Sequence, residues 1–167
     1  MTATWHTPAT WSVGQLVTAT NLNEQLRDNL EFLKAPPTGV RNVNQASDYA
    51  TTSTTFVDVD TTNLSFSINT AGGDVLIVFF GRVNSSTGNV YFDVSVDGVR
   101  IGGDDGLTSG PSGHHPIALM ALKQGLSPGT HTFKLQWRVS AGTGTLYAGA
   151  GTSGLDLHPQ FWVREVS

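Results

Sequence analysis

Apolar and polar residues alternate strictly along three segments of the chain. The apolar sets are Leu64, Phe66 and Ile68; Val90, Phe92, Val94 and Val96; and Phe133, Leu135, Trp137 and Val139. Because successive side chains of a β-strand point to opposite faces, each segment is predicted to be a strand with one buried and one wet face. A helix would scatter these residues around its axis, so the pattern commits much of the chain to β-sheet.

Turn signals and unbroken apolar runs extend this β pattern. Asp97-Gly98 predicts a two-residue hairpin of type I′. Segments 75–80 and 117–122 are apolar throughout, which predicts strands buried on both faces, either between two sheets or at a subunit contact. The predicted fold is all-β, an antiparallel jelly-roll sandwich of about eight strands. We count eight or nine strands, expected near 56–60, 64–70, 74–83, 89–97, 98–102, 115–123, 130–140, 144–149 and 159–166.

The N-terminal part has a different pattern, which ends at Pro36-Pro37. Asn21 is a suitable N-cap for one short α-helix, and Glu24 follows three residues later as in a capping box. The two prolines end this helix, because proline lacks an N–H and disfavours helical backbone in the preceding residue. The predicted segments are an extended N-terminal arm (1–20), the helix (21–35), a linker (36–46) and the jelly-roll domain (47–167).

Four leucines draw one apolar stripe along the predicted helix. They are Leu22, Leu26, Leu30 and Leu33, at spacings of four, four and three. A helix this short is marginal alone, so the stripe must be covered. Either the β-domain of the same chain covers it, or the helices of neighbouring subunits do, with Asn29 as a polar residue in the seam.

Two tryptophans stand in the polar arm. Trp5 and Trp11 either fold back onto the chain's own β-domain or insert into a neighbouring protein as anchors.

The composition excludes several functions. The net charge of −4 and the pI near 5.6 argue against a nucleic-acid partner, which would need a basic face. No apolar stretch approaches the roughly 20 residues of a membrane span, and the N-terminus lacks the pattern of a secretory signal. Zero cysteines leave no disulfide or thiol chemistry.

The candidate polar site is a glycine-rich loop and the residues after it. Asp104 and Asp105 lie in this loop, where they are either a calcium ligand pair or an ordinary exposed turn. His114 and His115 follow; adjacent residues on a strand point apart, so they would share a metal only around the axis of a symmetric oligomer. No nucleophile, carboxylate pair or phosphate loop has the spacing of an active site. We therefore expect no enzyme activity, no catalytic residue, no cofactor and no metal.

The N-terminal segment resembles that of tailed-bacteriophage virion proteins. The similarity lies in residues 11–23 (WSVGQLVTATNLN) and 26–30 (LRDNL). The remainder resembles phage domains of the tumour-necrosis-factor and C1q-like jelly-roll class, in residues 56–59 (FVDV), 96–98 (VDG), 125–137 (GLSPGTHTFKLQW) and 161–166 (FWVREV).

This resemblance implies a homotrimer located in the virion after synthesis in the cytoplasm of a bacterial host. The arm would contact other virion proteins, and the β-domain would face outward towards a host-surface glycan or protein. The leading hypothesis is a short tail fibre, spike or other tail-associated protein for host attachment. A capsid decoration or head-fibre protein is the second, and a bacterial carbohydrate-binding or cell-surface module is the third.

Overall fold

The computed structural model describes residues 4–166; positions 1–3 of the predicted arm and position 167 of the predicted β-domain lie outside this range. The protein is an all-β antiparallel jelly roll preceded by an extended arm and one short helix, as predicted. The strands are β1 (Thr38–Asn42), β2 (Tyr49–Thr51), β3 (Val57–Asp58), β4 (Ser65–Thr70), β5 (Gly73–Val96), β6 (Val99–Arg100), β7 (Thr108–Gly110), β8 (Gly113–Leu126), β9 (Gly129–Leu146) and β10 (Gln160–Glu165).

Strand β5 belongs to both layers of the sandwich. Its first half pairs with β10 on one side and β8 on the other. Its second half pairs with β9 and with the short strands β6 and β7. The first layer therefore contains β1, β10, the first half of β5 and β8, and the second contains β3, β4, β9, the second half of β5, β6 and β7. The remaining strand, β2, pairs with the last residues of β9.

Strand β5 bends so far that it packs against itself. The ring centres of Phe79 and Phe92, both on β5, lie 5.4 Å apart, although 13 residues of straight strand would span about 40 Å. Two bulges between Ser85 and Val90 produce the bend, and Gly88 takes a φ of +74° within it.

Two pairs of predicted strands are therefore single strands. The expected elements 74–83 and 89–97 both lie in β5, which ends at Val96, and 130–140 and the first half of 144–149 both lie in β9, which ends at Leu146. The polar stretch 84–89 has the composition of a turn. Its backbone nevertheless stays paired with β9 through the bulges, so the strand continues.

The alternating residues fill the space between the layers, as predicted. Phe92, Phe133, Leu135 and Val139 are fully buried, and Trp137 is almost so. The layers meet through aromatic contacts such as that of Phe66 with Phe161, whose ring centres are 5.1 Å apart. The hairpin at Asp97-Gly98 is also confirmed, since both residues have positive φ (52° and 84°).

Some short strands carry too little pattern to be found in the sequence. Strand β1 lies inside the segment expected to be a linker and pairs with β10 along its whole length. Its sequence, TGVRN, contains one large apolar residue, so no alternation is visible. Strands β2 and β7, of three residues each, were not predicted either.

The helix, here called α1, runs through Ala19–Leu22, a π-helical segment Asn23–Asp28, and Asn29–Lys34. It starts two residues before the predicted position because Thr18, rather than Asn21, is the N-cap. The Thr18 hydroxyl accepts from the Asn21 N–H, and the Asn21 side chain accepts from the Thr18 N–H, so the two form a capping box. Between residues 4 and 166 no helix is long and apolar enough to cross a membrane.

Candidate assembly and attachment surfaces

Two amide side chains of α1 hold the arm against the helix. Asn29 Oδ1 accepts from the His6 N–H at 2.7 Å, and its Nδ2 donates to the His6 carbonyl at 2.9 Å. Gln25 Oε1 accepts from the Ala9 N–H at 2.7 Å, and its Nε2 donates to the Thr7 carbonyl at 3.2 Å. The two amides lie four residues apart on one helix face, so they bind consecutive parts of the arm backbone much as a neighbouring strand would.

Asn29 therefore has a different role from the one predicted. It was expected in a seam between helices of neighbouring subunits, but it is buried, with 7% exposed, against the arm of its own chain. Gln25 was not singled out in the sequence. The available signal was the spacing of four between two amide residues on the helix face next to the leucines.

Trp5 and Trp11 lie in different surroundings. Trp5 packs on Phe32, with ring centres 5.7 Å apart, and Phe32 is itself buried. Trp5 thus contacts its own chain while keeping about a third of its surface exposed. Trp11 belongs to the turn of the arm, where Val13, Leu16 and Val17 are also exposed. The apolar side chains of this turn are therefore exposed to solvent in the single chain.

The leucine stripe of α1 is uncovered. We call Leu22, Leu26, Leu30 and Leu33 the helix stripe; all four are about half exposed or more. The side of α1 turned inward carries Asn29 and Phe32 instead, which are its buried residues. Within one chain, the β-domain does not bury the stripe.

The outward side of the first layer is apolar as well. Val40, Trp162, Val78 and Met120 are direct neighbours across β1, β10, β5 and β8. We call these four, together with Leu76, Phe80 and Leu122, the outer apolar face. Met120 is 78% exposed, and Phe80 and Leu122 are close to half exposed.

The expectation that 75–80 is buried on both faces is thus wrong for the single chain. Val75, Ile77 and Phe79 point into the core and are fully buried, whereas Phe80 faces outward and is exposed. A subunit contact, the second alternative expected for this segment, would cover its outward-facing residues.

The helix stripe and the outer apolar face meet at a groove. It has a volume of about 350 Å³ and is lined by Leu33 of the stripe, by Leu76 and Trp162 of the face, and by Phe32 and Pro36 among others. Arg164 and Glu165 also line this groove, so the two apolar surfaces adjoin each other there through Leu33.

The outward side of the second layer has the opposite chemistry. The Arg138 guanidinium lies 4.0 Å from the ring centre of Tyr91 and 5.4 Å from that of Phe56. The Arg100 guanidinium lies 4.1 Å from the Phe56 ring centre. We call these four residues the arginine–aromatic cluster. They come from four separate parts of the chain, so no spacing in the sequence predicts that they lie together.

The predicted loop residues are divided between this cluster and the start of β8. Asp105, whose side chain is 79% exposed, accepts a hydrogen bond from Arg138 Nη2, and Asp104 is exposed beside it. His114 is exposed and stacks on Tyr147, with its Nδ1 3.1 Å from the tyrosine hydroxyl. His115 is half-buried, with Nδ1 3.0 Å from the Gly113 carbonyl. Among residues 4–166 no three His, Asp or Glu side chains are grouped as a metal site.

Other carboxylates have structural partners. Asp58 accepts from Lys134 Nζ at 2.8 Å and Gln136 Nε2 at 2.7 Å. Asp60 accepts from the backbone N–H groups of Thr62 and Asn63 and from the Tyr49 hydroxyl. Burial raises the pKa of Asp60, but these hydrogen bonds outweigh it and lower the pKa to about 2.

His131 and Asp97 form a pair at the β5–β6 hairpin. His131 Nδ1 lies 2.7 Å from Asp97 Oδ2, and its Nε2 lies 2.8 Å from the Ser127 carbonyl. The hydrogen bond to Asp97 raises the pKa of His131, and the same bond, with one from the Thr132 N–H, lowers the pKa of Asp97.

Fold and surfaces together define an all-β jelly-roll protein with two adjoining exposed apolar surfaces and a partly exposed arginine–aromatic cluster. No known protein family matches the chain, and no curated protein matches its sequence.

Similar solved structures share the chain trace only distantly. A structure of Eiger TNF from S. frugiperda is 12% identical with a TM-score of 0.43, over 80% of this chain and 95% of that chain. The VP2 subviral particle of infectious bursal disease virus is 10% identical with a TM-score of 0.39, over 79% of this chain and 38% of that chain. Dimeric latent PorU from Porphyromonas gingivalis is 9% identical with a TM-score of 0.34, over 77% and 13%. Likenesses of this size carry no assignment of function.

Proposed function

We propose that this protein is a non-enzymatic, homotrimeric structural protein of a bacteriophage virion, acting as a short tail fibre or tail-associated spike. Its arm would attach to the particle and its jelly roll would contact the host surface. One observation carries the assembly part of the proposal: the helix stripe and the outer apolar face are both exposed and adjoin each other at one groove. The virion location and the number of copies rest on the resemblance of residues 11–23 and 26–30.

Self-association explains the uncovered surface in energetic terms. Monomeric proteins rarely leave contiguous apolar patches of more than a few hundred Å² open to water. Fully burying a leucine or methionine contributes roughly 1.5–3 kcal/mol, so covering the half-exposed helix stripe and Met120 would supply several kcal/mol. In a trimer, the helix stripes and outer apolar faces of three copies would lie around one axis. Neighbouring copies of this chain would therefore cover both surfaces.

The arm is suited to a contact with a different protein. Its turn presents Trp11, Val13, Leu16 and Val17 to solvent, while Gln25 and Asn29 hold the rest of the arm on α1. The exposed turn is thus fixed in position before any partner binds, which lowers the entropic cost of binding.

The test is a truncation that removes the arm but keeps the helix cap. Deleting residues 1–17 leaves Thr18, whose hydroxyl caps α1. We expect the truncated protein to remain a trimer with an unchanged fold and to be missing from purified particles. Incorporation at the normal level would refute attachment through the arm, and loss of the trimer would show that the arm serves assembly instead.

A capsid decoration or head-fibre protein is the second candidate, and one observation favours it. Helix α1 ends at Lys34 and β1 begins at Thr38, so no shaft separates the arm from the β-domain. Antibody labelling of intact particles distinguishes the two positions. Label at the tail supports the spike, label on the capsid facets supports decoration, and absence from all particles leaves a bacterial cell-surface module as the better account.

A further inference from the structure

We propose that the arginine–aromatic cluster is a binding site for the carboxylate of an acidic saccharide. The inference rests on the proposed function in one respect: it names the class of host-surface ligand that the jelly roll would contact. The site itself is defined by Phe56, Tyr91, Arg100 and Arg138 on the outward side of the second layer.

The guanidinium of Arg138 is fixed before a ligand arrives. Strand β9 lies between β5 and β3, so Arg138 stands between the rings of Tyr91 and Phe56, and only 17% of its side chain is exposed. A stacked guanidinium loses little conformational freedom on binding, and its planar fork matches the two oxygens of a carboxylate.

Asp105 shows that a carboxylate can reach this fork. Its side chain is 79% exposed and accepts from Arg138 Nη2. Because most of this side chain is exposed, rotation of the side chain alone would withdraw its carboxylate from Arg138. We infer that Asp105 occupies the place of the ligand's carboxylate when no ligand is bound.

Arg100 supports the ring of Phe56 instead of competing for the ligand. Its Nε lies 3.5 Å from the buried carboxylate of Asp93, and its Nη2 donates to the Gly103 carbonyl at 3.0 Å. The Asp93 carboxylate thus offsets the charge of Arg100. Arg138 is therefore the group that would exchange Asp105 for the carboxylate of the ligand.

The surroundings favour a sugar over a bare anion. Tyr91 lies opposite the exposed Ser109, and the exposed Asn89 donates to the Tyr91 hydroxyl at 3.4 Å. Neutral amides, hydroxyls and aromatic rings of this kind hydrogen-bond to sugar hydroxyls and pack against sugar rings. The cluster therefore combines one anion-binding fork with a rim suited to a polyhydroxylated ring.

The test compares matched saccharides on the full-length protein. The probes are oligosaccharides containing hexuronic acids, the same oligosaccharides after carboxyl reduction, and inorganic phosphate. We expect the trimer to retain the uronate forms, with three sites adding avidity, and to release the reduced forms. Absence of binding to every uronate, or equal binding of reduced forms, overturns the proposal, and competition by phosphate as strong as by uronate overturns its saccharide part.

Two neighbouring aspartates provide the decisive control. Asp105→Asn removes the internal carboxylate and should tighten uronate binding about threefold to tenfold relative to Asp104→Asn, which removes the same charge one residue away. Arg138→Lys, which keeps the charge but loses the fork, should weaken binding by about tenfold or more. Equal affinities of the two aspartate variants would contradict the displacement. Because trimer mass is recorded on the same samples, a trimer without uronate binding refutes only this inference, whereas a uronate-binding monomer refutes the proposed assembly.

Discussion

Single side chains of α1 decide how the N-terminal arm is placed. Gln25 and Asn29 give the arm four hydrogen bonds to its backbone, and Phe32 gives Trp5 a ring to pack on. These residues share one helix face, and the leucines occupy another. The same short helix can therefore hold its own arm and still offer an apolar stripe to other chains.

Asn29→Ala should release the arm without affecting the β-domain. Removing two hydrogen bonds of about 1 kcal/mol each should make the amides of His6, Thr7 and Ala9 exchange roughly thirtyfold faster. Hydrogen exchange read by mass spectrometry or NMR measures this, with Asn23→Ala on the exposed side of α1 as the control. Identical exchange in both variants would mean that the arm is held by other contacts.

The His131–Asp97 pair should make stability depend on pH. The pKa of His131 is raised on folding above its ordinary value of about 6.5, so its stabilisation is complete below that pH and fades as the pH rises through the raised pKa. The pKa of Asp97 is lowered, so its share is present above about 3.9 and fades as the pH falls through the lowered pKa.

Asp97→Asn should flatten this dependence. Asparagine tolerates the positive φ of position 97 but lacks the negative charge of Asp97, so it stabilises protonated His131 less. In urea titrations the wild type should lose stability between pH 6 and 8 more steeply than the variant does. Asp104→Asn serves as control and should keep the wild-type slope. Parallel slopes for wild type and Asp97→Asn would show that the pair contributes nothing.

At the scale of elements, the helix stripe should be the more sensitive assembly surface. Leu26→Asp replaces a half-exposed leucine, so the single chain should still fold. In the proposed trimer the same change buries a charge and loses about 1.5–3 kcal/mol of apolar burial per subunit, which weakens association by at least tenfold. Concentration-dependent light scattering measures this, and Val13→Asp in the arm turn is the control. An unaffected trimer would place the stripe outside the interface.

The outer apolar face gives an independent test. Met120→Lys places a charge at a position that is 78% exposed in one chain. The single chain should therefore still fold, and the circular dichroism spectrum of the variant should match that of the wild type. Association should weaken by at least tenfold if Met120 is covered by a neighbour. Val99→Lys, a comparable change at the 70% exposed tip of the β5–β6 hairpin, should leave the mass unaltered. Equal behaviour of the two variants would remove this face from the proposed interface.

Elements with a long apolar period could be predicted from the sequence, and short or bent ones could not. The core residues of β4, β5 and β9 follow from alternation, because burial of one sheet face fixes a period of two. The bend of β5 does not, since residues 84–89 have the composition of a loop and are kept in the sheet by pairing with β9. The arginine–aromatic cluster was equally hidden, because Phe56, Tyr91, Arg100 and Arg138 converge only after folding.

In the whole molecule, the outward sides of the two layers differ in chemistry, and we assign them different roles. The first layer is apolar outside and continues into the helix stripe, whereas the second layer presents arginines, aromatic rings and amides. In the proposed trimer, neighbouring copies would cover the outward side of the first layer, and the outward side of the second layer would stay exposed. The low charged share, 13% of residues, fits a chain that gives a large area to packing.

Sedimentation equilibrium of the full-length protein at micromolar concentration tests the proposed assembly most directly. We expect a single species of three times the 17.7 kDa chain mass, stable in low and in high salt because apolar contacts are not screened. A folded monomer of 17.7 kDa under the same conditions would contradict it, since the helix stripe and the outer apolar face would then remain open to water.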